Sequence, residues 1–405
     1  MARNGHASFC IIRQDVYPDG HVSRDAEALV QAGNQVTVIA LRHPGQPWRE
    51  CLNGVEVYRV PLQHQRGSLL RYVWEYSAFF VLAAGLVTAL HVRRAFQVVE
   101  IDNLPDVLVF SAFVPRLLGA RIILYMFDNM PELLMVTRSL SQRHPAVRLL
   151  GQLQRISATF AQHVIVPNEA TRCLVASRGV SAEKITVVLN CPDERVFQDA
   201  PGHAETRPSA GFEIVTHGTI LERFGIQVLL EAMPRILSAI PDARVRIVGR
   251  GEYRAKLEAL ARRRGIHDRV EFQDWVPPEQ LPGLLRQAQV GYVGMLCDLM
   301  LSNKLMEYVA LGIPAVVAQW PAYAPYFPED TVRYFTPGNP EAVAAAVIAI
   351  HRDPADARAR ADRARALYQE YRWRVQRDRY LGVYRAELMA ATRVAHPVLQ
   401  DSVPE

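Results

Sequence analysis

The chain has 405 residues, more than one hydrophobic core usually organises, so two domains are expected. Half of the residues are hydrophobic and 21% are charged, which excludes a disordered or fibrous chain. A net charge of +5 is modest for this length and does not by itself point to nucleic acid.

Short apolar runs alternate with longer amphipathic segments, the pattern of βαβ units around parallel sheets. In the first half, strands are expected near Ser8–Ile12, Gln35–Ala40, Val55–Val60, Val98–Ile101, Arg121–Leu124, His163–Val166 and Ile185–Leu189. Helices are expected between them, over Val22–Ala32, Leu69–Arg94, Asp106–Leu118, Ala146–Phe160 and Ala170–Ser177. The Leu69–Arg94 stretch is strongly apolar. Its charge-free part is about 15 residues, short of the roughly 20 that a spanning helix needs, so a packed or interfacial helix is expected. Arg66, Arg71, Arg93 and Arg94 flank it and would meet anionic lipid if its outer side were exposed.

The texture changes at Gln198–Gly211, QDAPGHAETRPSAG, whose proline, glycine and small polar residues mark an interdomain linker. A second alternating series follows. Its strands are expected near Phe212–Thr216, Arg244–Val248, Val270–Gln273, Val290–Val293, Ala315–Ala318 and Val332–Phe335, with helices near Ile226–Leu237, Tyr253–Arg264, Gln280–Arg286 and Lys304–Leu311. The tail from Pro354 to Val394 reads as one long arginine-rich helical stretch with an apolar and aromatic seam that includes Tyr380 and Tyr384. Its arginines read as a solvated face, because no aromatic-basic RNA-binding module accompanies them.

The five cysteines are odd in number and lie at no metal or redox spacing, so reduced thiols in a cytoplasmic protein are expected. The opening MARNGHASFCIIRQ has no apolar run of signal-peptide length, which argues against secretion. No two aspartates read D-x-D and no two histidines lie within five residues, so no metal is expected from local ligands.

The chemistry concentrates in Ser302–Val316, SNKLMEYVALGIPAV. Ser302 or Asn303 can cap a helix that Gly312 ends. The free N–H groups at its start, with the amine of Lys304, suit a diphosphate. Glu307, one turn on, shares a face with Lys304 and can accept ribose hydroxyls; the alternative is a capped helix with an i,i+3 ion pair. In HGTILERFG, Gly218 relieves crowding where backbone meets ligand and Arg223 offers a second cation. In IVGRG, Gly249 ends another strand in a glycine turn, and VEFQDWV carries Trp275 where main-chain groups can read a base edge.

In this order and spacing, the segments from His217 to Pro314 resemble the nucleotide-sugar-binding domain of glycosyltransferase family 4, SNKLMEYVALGIP most specifically. The first half resembles the same family. QDVYPDGHVSRDAEALVQAGNQVTVIA, which contains Asp19, is similar to its acceptor-side opening, and FDNMPE to its HD-x-x-PE segment. VPNEA and VVLNCPDERVF resemble the passage into the linker. The resemblance implies an α/β GT-B fold: two Rossmann-like domains (1–200 and 212–375) facing each other across a cleft, and a last helix (376–405) crossing back onto the first. It implies transfer of a sugar from a UDP- or GDP-sugar with retention of configuration and without bound metal; the donor is a substrate and no cofactor is expected. Asp128, Glu307, Lys304 and Arg223 would carry catalysis. Gly218, Gly249, Trp275, Ser302, Asn303 and Leu299 would line the donor, and Asp19, Phe127 and Glu132 the acceptor side.

Two positions depart from the family. Phe127 replaces the histidine of HD-x-x-PE, and Leu299 replaces a glutamate expected eight positions before Glu307. Both changes run from polar to apolar. They suit a deoxygenated or modified donor sugar, a tolerant site, or a catalytically silent nucleotide-sugar-binding partner. The acceptor implied by the resemblance is a polysaccharide, lipid-linked or other glycan. The expected location is the cytoplasm, with peripheral contact at the inner face of an anionic membrane, and nucleic acid is not an expected partner.

Overall fold

A computed structural model describes residues 6–62, 69–197, 211–298 and 300–395. Leu299, Arg66 and most of the expected linker (198–210) lie outside the described residues. The chain divides into two compact units, Met1–Leu189 with Gln376–Glu405, and Asn190–Val375.

The first unit is built on eight strands: β1 (Ser8–Val16), β2 (Gln35–Leu41), β3 (Arg49–Leu52), β4 (Val55–Val60), β5 (Val98–Asp102), β6 (Arg121–Tyr125), β7 (His163–Val166) and β8 (Ile185–Val187). They lie in the order β3-β4-β2-β1-β5-β6-β7-β8. All pairs are parallel except β3–β4. Runs such as FCII in β1 and VIAL in β2 are buried on both faces, as a sheet covered on both sides requires. Helices α1 (Val22–Gln31), α2 (Leu69–Arg94), α3 (Phe113–Leu117), α4 (Met130–Arg138), α5 (Pro145–Phe160) and α6 (Glu169–Ser177) connect them. Phe79, Ala83, Val87 and Leu90 of α2 enter one core layer, and Val22, Ala26 and Leu29 of α1 the other.

The sequence expectations change here at three places, one of them helix α4, which was not foreseen. The edge strand β3 was not foreseen; it turns into β4 through Asn53 and Gly54, both at positive φ (49° and 82°), a turn that matches the twist of a hairpin. The expected helix Asp106–Leu118 is instead a 3-10 turn, Asp106–Ala112, followed by the short α3. Pro115 has no N–H to return to the carbonyl of Ser111 and its ring crowds that carbonyl, which disfavours one continuous helix.

The second unit begins with the short α7 (Glu194–Phe197) and holds six parallel strands: β9 (Glu213–His217), β10 (Arg244–Val248), β11 (Val270–Gln273), β12 (Val290–Val293), β13 (Ala315–Ala318) and β14 (Arg333–Phe335). Their order is β11-β10-β9-β12-β13-β14. Helices α8 (Ile226–Ala239), α9 (Arg254–Arg263), α10 (Leu281–Leu285), α11 (Asn303–Ala310), α12 (Pro340–Arg352) and α13 (Pro354–Tyr368) join and cover them. Leu229, Leu230, Met233 and Ile236 of α8 and Val343 and Val347 of α12 are fully buried against the sheet.

The last helix, α14 (Trp373–Ala395), enters the core of the first unit with Tyr380, Leu381, Val383 and Tyr384. The expected continuous tail helix is therefore two, separated by a turn at Gln369–Arg372. Neither glycine nor proline causes the break. The Tyr371 ring meets Tyr326 edge-on at 5.4 Å, and this packing overrides a locally helical sequence.

Candidate active site

In the second unit the strand order reverses at β9, which has β10 on one side and β12 on the other. Ligands of doubly wound sheets bind beyond the C-terminal ends of the strands at such a reversal. The loops there are held backbone to backbone. Gly218 N–H donates to the Val248 carbonyl (2.8 Å), Ile220 N–H to Arg250 (2.9 Å) and Leu296 N–H to Arg223 (2.9 Å). Gly249, at φ 137°, fits only because it lacks a side chain: a Cβ would fall 2.0 Å from the Gly218 carbonyl oxygen. A Cβ on Gly218 would approach Lys304 Cε to 3.3 Å, so this glycine makes room for the lysine.

Lys304 comes from the first turn of α11. Ser302 stands at the helix cap but its side chain makes no capping bond, and Asn303 is the first helical residue. The Lys304 ammonium lies 4.4 Å from the centroid of the Phe224 ring and forms no ion pair among the described residues. Desolvation lowers its pKa to about 8, although Glu307 draws it upward. The guanidinium of Arg223 lies 5.1 Å from the same ring. Its buried Nε has no hydrogen-bond partner among the described residues. Two cations thus share one aromatic ring, and neither pairs with a carboxylate among the described residues.

Glu307 does not pair with Lys304. Its carboxylate accepts from Nε2 of His217, the last residue of β9. His217 Nδ1 lies 3.1 Å from the Tyr308 hydroxyl, which is also 3.1 Å from the Val215 carbonyl. The imidazole is therefore held on both sides, and it holds the carboxylate of Glu307 in turn. Trp275, beyond β11, is 59% exposed.

The first unit has its own reversal, at β1 between β2 and β5. A cavity of about 230 Å³ lies there, lined by Arg13, Gln14 and Asp15 in the C-terminal half of β1, Asn103 and Leu104 after β5, Tyr76 of α2, and Phe127 and Asp128 after β6. Phe127 stacks on Tyr125 (centroids 4.1 Å apart), and Arg13 lies 4.7 Å from its ring centre. His21 is the histidine beside it, with ring centroids 6.0 Å apart; burial and the nearby Arg24 and Arg13 lower its pKa to about 4. Asn103 fixes this loop. Its Oδ1 accepts from the N–H groups of Phe127 (2.8 Å) and Asp128 (3.3 Å), and its Nδ2 donates to the Asp128 carbonyl (2.6 Å) and to Asp106 (2.8 Å). Asp19 and Glu132 serve structure here: Asp19 accepts from the N–H groups of His21 (3.0 Å) and Val22 (2.6 Å) at the head of α1, and Glu132 pairs with Arg178.

The profile described as "Glycosyl transferase 4-like domain" matches residues 20–191, and that described as "Glycosyl transferases group 1" matches residues 211–353. The chain is a glycosyltransferase of the group 1, family 4 type. It is 25% identical over 288 residues to the 2-deoxystreptamine glucosyltransferase of Streptomyces kanamyceticus, covering 66% of this chain and 72% of the relative. Sucrose-phosphate synthase from Thermosynechococcus elongatus superposes with a TM-score of 0.77 at 19% identity, over 95% of this chain and 100% of that one. Anabaena HepE in complex with UDP-glucose superposes with a TM-score of 0.72 at 16% identity, over 94% and 100%. These likenesses establish the GT-B fold.

In this glycosyltransferase, Gly218, Gly249, Arg223, Lys304 and Glu307 gather at one strand reversal, and Phe127 and Asp128 line a cavity at the other. Glu132 and Asp19 are not among the residues lining that cavity. His217 and Asn103 are additions from the structure. His217 ends β9 and Asn103 follows β5, but nothing local in the sequence singles them out, because their partners lie 90 and 24 residues away.

Proposed function

We propose that this enzyme takes its sugar from a UDP- or GDP-sugar, transfers it with retention of configuration, and delivers it to a polysaccharide or lipid-linked glycan at the cytoplasmic face of a membrane. The observation that carries the donor reading is the pair of cations, Lys304 and Arg223, gathered on Phe224 without a carboxylate partner. When the bond from the anomeric carbon to the leaving oxygen breaks, its electron pair stays on the diphosphate. The two cations meet that charge where it develops, without need of a metal. Glu307, oriented by His217, accepts the ribose hydroxyls, and the head of α11 supplies further N–H donors. The UDP-glucose complex of the structurally similar HepE supports this donor class.

Asp128, presented by Asn103, holds an acceptor or sugar hydroxyl in this reading. Calorimetric titration with UDP, GDP and their sugars tests the donor half. Lys304→Ala should weaken binding about tenfold or more, as expected for a lost charge-assisted contact; unchanged affinity rejects the site. The second reading, a silent nucleotide-sugar-binding partner, is favoured by Phe127 at the histidine position. Binding without any transfer or donor hydrolysis across a donor and acceptor panel would select it.

A further inference from the structure

Helix α2 is 26 residues long, yet its most apolar stretch is only 28% buried. One side packs on the sheet through Phe79, Ala83, Val87 and Leu90. Drawing the helix into a bilayer core would uncover those side chains, so its apolar length does not serve to span a membrane. The opposite side carries Trp74, Val81 and Val92, each more than half exposed. Against α2 packs α3, which exposes Phe113 and Leu117, 52% and 70%. Most of the exposed large hydrophobic side chains among the described residues fall on these two neighbouring elements. Their sole acid is Glu75, buried and paired with Arg71. Arg93 after the apolar stretch and Arg116 within α3 edge this face with positive charge, while Arg71 before it pairs with Glu75.

We propose that this face docks on an anionic lipid bilayer, with α2 lying in the plane of the interface. Trp74, Val81, Val92, Phe113 and Leu117 enter the boundary between headgroups and acyl chains, and the arginines meet lipid phosphates. The charge pattern selects lipid over a second copy of this chain. A two-fold contact would set the same cations against each other, whereas anionic headgroups neutralise them. Tyr76, on the sheet-facing side of the same helix, lines the cavity of this unit. The proposal rests on the membrane-facing reading of the acceptor given above, and donor hydrolysis without vesicles tests the transferase reading separately.

The test is co-flotation with vesicles of phosphatidylcholine alone and of phosphatidylcholine with phosphatidylglycerol, at low and high salt. The wild type should float with the anionic vesicles at low salt and less at high salt. The double variant Trp74→Glu, Leu117→Glu should lose about tenfold in the bound fraction while hydrolysing donor like the wild type. If that variant does not fold, brominated lipid supplies the second measurement: it should quench wild-type tryptophan fluorescence, and much less so in Trp74→Phe. Failure of the wild type to float with anionic vesicles, equal flotation of the double variant, or quenching undiminished in Trp74→Phe each overturns the proposal. So does a wild-type dimer that the double variant converts to monomer without any vesicle binding.

Discussion

The Nε2 of His217 faces the carboxylate of Glu307, while its other nitrogen lies 3.1 Å from the Tyr308 hydroxyl. A carboxylate held by a fixed donor loses less rotamer freedom when it takes up a ribose. His217→Ala should therefore weaken donor binding by severalfold to about tenfold. His217→Gln, which keeps an N–H donor, should recover part of the loss. Calorimetric dissociation constants beside a thermal melt separate this effect from unfolding.

Lys304 adds a pH signature. Its ammonium titrates near pH 8 in the free enzyme, and a bound diphosphate would raise that value. Donor affinity should be flat below about pH 8 and fall as the pH rises past it. Binding above pH 8 should take up a proton, read as a buffer-dependent enthalpy. Lys304→Met should bind more weakly throughout and lose both effects. A wild-type affinity independent of pH from 7 to 10 rejects the assignment.

Gly249 and Gly45 form a matched pair, because both have positive φ but only Gly249 is crowded. Gly45→Ala should cost about 1 kcal/mol from backbone conformation alone. Gly249→Ala must also push the backbone of Gly218 away and should cost at least about 2–3 kcal/mol, with loss of donor binding. Urea denaturation measures both.

Glu100 provides a stability test. Burial and the neighbouring Asp102 raise its pKa well above the ordinary carboxyl value, and the Tyr380 hydroxyl donates to Oε1 at 3.0 Å. The unfolded chain releases this proton near pH 4.5 while the folded chain keeps it, so the group's contribution to stability falls as the pH rises from there toward the folded-state pKa. Glu100→Gln removes that penalty and keeps an acceptor for Tyr380. Its stability relative to the wild type should grow with pH above about 4.5, as melts across pH would show.

Phe127 can offer a sugar only apolar contact. A site without a hydroxyl partner discriminates weakly against a deoxygenated sugar. Wild type should accept deoxy donors nearly as well as their hydroxylated parents, and Phe127→His should shift the preference toward the parents. Strict wild-type selection of a fully hydroxylated hexose would refute this.

Apolar runs with clear ends were legible in the sequence. Helix α2 and strands β4, β7, β10, β11, β12 and β13 have the boundaries their residues suggest; in β12 and β13, complete burial leaves no charged interruption. Edge strand β3 is short and half polar, and only the Asn53–Gly54 turn betrays it. Lys304 and Glu307 could be placed on one helical face from spacing alone. That Glu307 would bond to His217 instead of Lys304 could not, since spacing along a helix says nothing of a residue delivered by a distant strand.

Tyr380 reaches Glu100 across 280 residues of the polypeptide, so the first unit is interrupted in sequence by the second. During vectorial synthesis, the ribosome completes Asn190–Val375 before it makes the helix that seals the first core. The second unit is thus free to close early, while Tyr125 and Glu100 wait for their last covering. A nascent chain arrested before Gln376 should present a finished nucleotide-side unit behind an unfinished, chaperone-dependent one.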